Sequence, residues 1–484
     1  MNHAVRRAGY VVVALLLILV GQLTYLQVFD AQSLQDDPRN SRGYLRSFNR
    51  PRGEIVSADG EILARSSRVD DEYGWQRTYP FGDLFAQTVG YQSVVVGSVG
   101  IEKVYDGQLS GRDLPVEPKD LPSILSARPR VGTVVLHLDS RAQAAARDAL
   151  GGQRGSVTVL NPRTGAVVAM YSNPTFDPQP LAGHDTRAVQ AYYDGLTNDP
   201  TNPALPRAYR EIYPPGSTFK VVTTTGALDT GVATPDSRYP ANTSYTPPQS
   251  DRPINNFGGR QCGGTLEDAF RQSCNAVFAQ LGVEMGERFV PVIDAFGLNE
   301  APSLDLSPGA EASIGLQPGS FDLNKPAFAL AGIGQGEIAT TPLQMALVAA
   351  AIANRGVAME PHVAARIDDR SGRTVERVRE RRWKRATSPA TAATLTEFMI
   401  SVVANGTGTA ARIPGVTVAG KTGTAQAPGG PPHAWFIAFA PAEAPRYAIS
   451  VIVERGGSAG DEATGGRIAA PVAAKVLRTL LQVS

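Results

Sequence analysis

The sequence predicts an α/β-type (α+β) domain closed by its own termini, preceded by a membrane-spanning helix and a small, mainly β region. Three observations carry this. RGSVTVLNPRTGAVVAMYS (154–172) sets two β-branched runs around an Asn-Pro-Arg-Thr-Gly turn, the pattern of a hairpin. VTVAGKTGTAQ (416–426), HAWFIAFAP (433–441) and RYAISVIVERG (446–456) supply three more strands near the other end. Helical stretches such as TTPLQMALVAAAIANRG (340–356) lie between them, so strands from both ends of the region are expected to meet in one sheet.

From the N-terminus, Arg6 and Arg7 precede about twenty mostly apolar residues, Ala8 to about Val28. That length spans a bilayer as one helix, and the paired arginines place the N-terminus in the cytoplasm. Ala31-Gln32-Ser33 resembles a signal-peptide cleavage site, but the apolar run exceeds a typical signal core, and bulky Tyr25, Leu26 and Phe29 precede the site. An uncleaved anchor in the cytoplasmic (inner) membrane, with the rest of the chain extracytoplasmic, is the expectation.

Next, RSFNRPRGEIVSADGEILARS (46–66) reads as a loop and two short strands around an Asp59-Gly60 turn. GSVGIEKVYDGQLSG (97–111) and a proline-rich tract, VEPKDLPSILSARPR (116–130), follow. This region carries no reactive constellation and reads as structural. In LDSRAQAAARDALGG (138–152), Asp139 is a natural N-cap and Gly151 a natural stop. The composition shifts there, giving a division into 1–30 (tail and anchor), 31–152 (non-catalytic pedestal) and 153–484 (catalytic domain). Residues 233–261 read as a long polar loop, a length that is usually functional or mobile. RIAAPVAAKVLRTLLQ (467–482) closes the chain as an amphipathic helix.

Charge and histidine usage exclude several classes. A formal net charge of +1 gives no electrostatic reason to expect nucleic acid. The five histidines are scattered, without HExxH, so neither a metal nor another cofactor is expected.

Of 46 Lys plus Arg, seven are lysines (46 − 7 leaves 39 arginines), which makes the lysine in YPPGSTFKVV (213–222) informative. Pro214, Pro215 and Gly216 break the chain, and TFKVVTTTGALDTG can run as a helix to about Gly231. Ser217 then sits at the helix start, where free N–H groups and the dipole favour developing negative charge. Lys220 projects from the same face among apolar neighbours, and a desolvated lysine can lose its proton where an arginine cannot. A buried stem snorkelling to solvent is the structural alternative. RQSCNAVF adds Ser273 and Asn275, and VAGKTGTAQ adds Lys421, Thr422, Gly423 and Thr424. Ser273 and Asn275 suit a proton relay and a substrate amide. Lys421, Thr422 and Thr424 suit a carboxylate, and Gly423 close approach of a ligand to the strand. The ordered triple S-x-x-K, S-x-N, K-T-G is that of penicillin-binding proteins and class A β-lactamases. Cys262 and Cys274, the only cysteines, are even in number, lie in an oxidising compartment and flank the second motif. A disulfide is expected there, with two independent thiols as the alternative.

With RPRGEIVSADGEILA, GSVGIEKVYDGQLSG, YPPGSTFK, GIGQGEIATTPLQMALVAAAIANRG, KTGTAQ and HAWFIAFAP, the sequence resembles class B penicillin-binding proteins, most closely the actinobacterial penicillin-binding protein A group. The resemblance implies a serine transpeptidase/β-lactamase-like fold, an antiparallel sheet flanked by helices, and a serine acyl-enzyme. The implied partners are peptidoglycan stem peptides ending in D-Ala-D-Ala, and β-lactams. It also implies Ser217 as nucleophile, Lys220 as its base, and an oxyanion hole from the N–H groups of Ser217 and Thr424. Cysteine in the middle of the second motif departs from the aspartate of β-lactamases. Only about 120 residues separate the anchor from the catalytic domain, too few for a glycosyltransferase domain. Glycan polymerisation would come from a SEDS-family polymerase alongside divisome or elongasome proteins. The competing readings are a D,D-carboxypeptidase or β-lactamase-like hydrolase and a non-enzymatic division scaffold.

Overall fold

The protein is described by a computed structural model covering residues 2–28, 47–114, 131–306 and 315–483, with 309, 312 and 313. The proline-rich tract 116–130 and the Ala31-Gln32-Ser33 site lie outside the described residues. Helix α1 (Asn2–Val28) contains a 22-residue segment, Val5–Leu26, with a mean hydropathy of 2.1. It is long and apolar enough to cross a membrane.

The first sheet opens with β1 (Ile55–Val56) and β2 (Ile62–Arg68), antiparallel about the Asp59-Gly60 turn. Gly60 takes the positive φ of 90° that the turn requires, and Ser57 N donates to Glu61 O. Strand β3 (Thr133–Leu136) pairs parallel with β1. Ala364–Asp368 pairs antiparallel with β3, and Thr374–Arg377 with Ala364–Asp368. Sequence reading leaves these last two strands unassigned, because local pattern does not say which strand a segment joins. Asp59 also links the turn to the next helix, accepting from Ser140 N at 3.0 Å.

The same region holds a buried ionic node. Glu102 receives Arg52 Nε at 2.7 Å and Arg77 Nε at 2.6 Å, with all three side chains nearly inaccessible. Burial alone would raise the Glu102 carboxyl, but the two guanidiniums outweigh it and hold it below the usual range. Removing the acid strands the buried Arg77 guanidinium, while Arg52 keeps Asp106 at 2.5 Å. Glu102→Ala is therefore expected to destabilise the full-length protein by about 3–5 kcal/mol, read as a lowered thermal midpoint in detergent. An unchanged midpoint would show that the node contributes nothing.

The second region runs through α2 (Ser140–Leu150), β4 (Gly155–Leu160), β5 (Val167–Asn173), α3 (Lys220–Asp229), α4 (Leu266–Gln272) and α5 (Asn275–Met285). It continues through α6 (Pro342–Ala353), α7 (Pro389–Asn405), β6 (Ala419–Ala427), β7 (Gly430–Ala440), β8 (Tyr447–Val453) and α8 (Ala470–Leu481). The sheet order is β6-β7-β8-β4-β5, antiparallel throughout. Strands from both ends do meet, which leaves β6 at an edge. Every residue of β4 is buried, so both faces of the sheet are covered. Helices α2 and α8 pack on each other and on the sheet, while α6 packs on β4, β7 and β8, and α7 on β6.

Local chemistry explains the helix starts. Asp139 caps α2, accepting from Arg141 N at 2.9 Å and Ala142 N at 3.0 Å. Thr341 and Gln344 form a reciprocal capping box on α6, with Pro342 in its first turn. Nearly all of α6 is buried, as its all-round apolar sequence requires.

One expectation is corrected. Residues 233–261 are not a featureless loop: Arg238–Asn242 pairs with Cys262–Thr265, and Ser244–Tyr245 with Ile254–Asn255. These ribbons are short and half-exposed, so they bear none of the apolar alternation that marks a strand packed on a core.

Candidate active site

Pro214, Pro215 and Gly216 bring the chain hard against β6. A Cβ on Gly216, whose φ is 53°, would stand 2.7 Å from Thr424 O. Trp435 on β7 fixes the approach by donating Nε1–H to Pro214 O at 3.0 Å. The expected helix begins as a 3₁₀ turn, Gly216–Phe219, and becomes α-helical at Lys220. Half-buried Ser217 therefore lies in that opening turn.

Lys220, the first residue of α3, is completely buried and does not snorkel. Its Nζ donates to Ser273 O at 2.8 Å, Asn275 Oδ1 at 2.8 Å and Ser273 Oγ at 3.2 Å. It also lies 5.3 Å from the Phe278 ring centre. Burial, and secondarily the charge of Lys421, pull its pKa well below the ordinary lysine range.

Ser273 joins α4 to α5 in the left-handed region, at φ 60° and ψ 45°, a conformation uncommon outside glycine. Its surroundings enforce it. Ser273 N donates to Phe270 O and Cys274 N to Ala269 O, and Cys274 is disulfide-bonded to Cys262, with Cα atoms 5.8 Å apart. The 262–274 segment is thereby closed on the motif. Asn275 Nδ2 donates to Asn255 O at 2.8 Å, and Asn256 Oδ1 accepts from Ala276 N at 2.9 Å. Sequence reading did not single out Asn255 and Asn256. The only available signal was their place in a long polar segment.

Lys421 arrives from β6, also fully buried, and donates to Ser273 Oγ at 3.0 Å and Thr422 O at 3.0 Å. Burial lowers its pKa to about 7. Two depressed lysines thus converge on one hydroxyl. Thr422 Oγ1 lies 2.5 Å from Thr407 Oγ1, and Thr424 Oγ1 accepts from Gly465 N at 3.4 Å. The structure gives Gly423 a different reason from ligand approach. A Cβ there would meet Pro215 O at 2.9 Å, Thr218 Cγ2 at 2.9 Å and Trp435 Cβ at 3.0 Å. Glycine lets the Ser217 turn lie flat on the strand.

Two clefts meet at Ser217, of about 1000 Å³ and about 220 Å³, sharing Phe257, Asn275 and Thr424 in their walls. The smaller adds Thr422, Thr464 and Arg260; the pairing of Arg260 with this arm was not foreseen either. Among the described residues, neither lining contains a carboxylate. The arrangement offers a hydroxyl at a helix start, a buried amine one turn on, a relay hydroxyl, and a threonine-lined arm for a small anion.

The family model described as the penicillin binding protein transpeptidase domain matches residues 155–478, and that of the penicillin binding protein A dimerisation domain matches 52–135. Peptidoglycan D,D-transpeptidase PbpA of Mycolicibacterium smegmatis is 38% identical over 497 residues, covering 100% of this chain and 99% of the relative. The Mycobacterium tuberculosis protein of the same name is 38% identical over 499 residues, with the same coverage. Among solved structures, penicillin-binding protein A from M. tuberculosis as a ceftriaxone acyl-enzyme superposes with a TM-score of 0.85 at 36% identity, covering 90% of this chain and 100% of that one. Its penicillin G acyl-enzyme gives 0.83 at 36%. With its buried-lysine site, its five-stranded sheet and matches along its whole length, this chain belongs to the penicillin-binding proteins that pair a penicillin-binding protein A dimerisation domain with a transpeptidase domain.

Proposed function

We propose that this protein is a membrane-anchored peptidoglycan D,D-transpeptidase that cross-links stem peptides through an acyl-Ser217 intermediate and is inhibited covalently by β-lactams. The observation that carries the reading is the convergence of Lys220 Nζ and Lys421 Nζ on Ser273 Oγ, at 3.2 and 3.0 Å, behind a half-buried Ser217. Ser217 Oγ attacks the carbonyl carbon of the penultimate D-Ala, and its proton passes to neutral Lys220. The N–H groups of Ser217 and Thr424 stabilise the oxyanion. Collapse expels the terminal D-Ala as an amine, which takes up the proton through Lys220 and Ser273. Asn275 holds Lys220 and the substrate amide. Lys421, Thr422 and Thr424 face the terminal carboxylate, and Gly423 keeps strand and turn in register. An acceptor amine then attacks acyl-Ser217, giving up a proton to neutral Lys220; the acyl–Oγ bond breaks, Ser217 Oγ regains a proton from Lys220, and the new amide is the cross-link.

The reading extends to the whole chain: anchor 1–30 with the N-terminus in the cytoplasm, pedestal or dimerisation region 31–152, and transpeptidase domain 153–484. The catalytic domain lies outside the inner membrane, working beside a SEDS-family polymerase. Among the described residues, neither cleft lining holds a carboxylate that could activate water, which supports transfer to an amine over hydrolysis. Full-length protein in detergent, given a stem-peptide thioester, is expected to accumulate acyl-enzyme by intact mass and to release it faster when a D-amino acid is added. Rapid release as free acid, indifferent to the amine, would make it a carboxypeptidase.

A further inference from the structure

Ser217 is reached through a segment that cannot tie itself down. Pro214 and Pro215 have no N–H to give, so the chain between Tyr213 and Gly216 offers no backbone donor. Gly216 N donates to Gly334 O at 2.9 Å, and Tyr213 exchanges backbone hydrogen bonds with Thr340, both at 2.9 Å. Further anchoring passes through the Tyr213 side chain, which is buried. Its ring meets His433 edge-on at 5.4 Å and Trp435 at 6.1 Å between centres, two residues that stand on one face of β7. Its hydroxyl donates to Glu454 Oε1 at 2.7 Å. Burial, and then the Glu454 charge, push the Tyr213 pKa up, so the phenol stays a donor.

Glu454 directly follows β8 and is itself buried. Besides the Tyr213 hydroxyl, its carboxylate receives Arg207 Nε at 2.9 Å and Arg154 Nε at 2.6 Å. Arg207 is completely buried and also donates to Thr201 O and Asn202 O. One residue on, Arg455 N donates to His433 Nδ1 at 3.2 Å, which steadies the ring beside Tyr213. Arg154 precedes β4, so one carboxylate ties the approach to Ser217 to the ends of two neighbouring strands. Neither Tyr213 nor Glu454 lines either cleft. Their effect on chemistry is therefore geometric, and geometry is costly to lose: about 1 Å of misplacement can slow a reaction on the order of 10²-fold. We infer that Glu454 is a positioning residue for the Ser217 nucleophile, acting through Tyr213 and braced by Arg207 and Arg154. It sets where the Ser217 turn lies against β6, and so governs the acylation step and not the capture of ligand. The inference rests on the acyl-Ser217 reading and extends it to a cluster behind the cleft.

Tyr213→Phe tests this most cleanly, because it removes one hydroxyl and leaves Glu454 with both arginines. Full-length protein in detergent is mixed with fluorescent penicillin at increasing concentrations. The time courses separate the dissociation constant of the ligand from the first-order acylation rate constant. The rate constant is expected to fall roughly ten-fold, within the range that a displaced nucleophile produces, with the dissociation constant unchanged. Glu454→Gln keeps an oxygen that accepts from Tyr213 and is expected to retain more of the rate than Glu454→Ala. A cluster that served only stability would lower the thermal midpoint and the labelled fraction, but leave the rate constant of the folded molecules where it was. That result for Tyr213→Phe, or a loss confined to the dissociation constant, would overturn the inference and leave the Ser217 reading standing. If the Glu454 variants do not fold, Tyr213→Phe decides alone. Wild-type protein that penicillin does not acylate would overturn both readings together.

Discussion

Ser217→Ala is expected to form no covalent adduct with penicillin, by fluorescent labelling of the full-length protein and by intact mass. A β-lactam presents a strained acyl group and a carboxylate. The site presents a hydroxyl in the opening turn of α3, with a threonine-lined arm holding Arg260 beside it. The substitution removes one oxygen from a half-buried side chain and leaves in place the packing that sets the turn: Gly216 against Thr424, and Trp435 against Pro214. The thermal midpoint should therefore be preserved while labelling is lost. In cells lacking the wild-type copy, the variant should fail to restore wall cross-linking even when correctly localised. Undiminished labelling would place the nucleophile elsewhere, and full complementation would make the protein a scaffold.

What could be read from the sequence, and what could not, divides along physical lines. The helix cap at Asp139, the hairpin at Asp59-Gly60, and the strands bearing Val157 and Val451 are local signals, written in turn residues and β-branching, and the structure carries each of them. The three motifs were legible because their chemistry restricts the residue types: a lysine where arginine would serve any purely electrostatic role stands out in a chain with 39 arginines among 46 cations. Asn255 and Asn256 were not legible. Asn255 acts through a backbone carbonyl that any residue could provide, in a ribbon too short and exposed to show an apolar period. Asn256 acts through a side-chain amide whose partners, Ala276 N, Asn242 O and Arg260 O, only the fold brings together. Nor could spacing show that Ser273 adopts the left-handed region, which is a consequence of how α4 and α5 join. At Gly423 the sequence could not show that the Ser217 turn packs on the side a Cβ would occupy.

The second large effect concerns Lys220. If its neutral amine takes the Ser217 proton, Lys220→Arg keeps the charge and loses the acceptor, while Lys220→Met keeps the approximate length and loses both. Arginine in this pocket is a permanent charge without a carboxylate partner, so some loss of stability accompanies it; methionine carries no such penalty in surroundings that include the Phe278 ring. Both variants are expected to slow acylation by about 10²–10⁴, the cost of losing a general base. Residual activity would come from Lys421, which also reaches Ser273 Oγ, at 3.0 Å. The pH dependence follows from the direction of the shift. Burial lowers the Lys220 pKa, so the neutral fraction, and the wild-type acylation rate with it, rises as pH rises through that depressed value and levels off well before the ordinary lysine range. The same depression means that the unfolded chain binds more protons than the folded one between the two values, so the contribution of Lys220 to stability increases with pH across that window. Lys220→Met should weaken both dependences and leave the part that Lys421, its pKa lowered to about 7, contributes. Near wild-type acylation by the methionine variant, with the pH limb intact, would show that Lys220 only braces Ser273 and Asn275 and would move the base to Lys421.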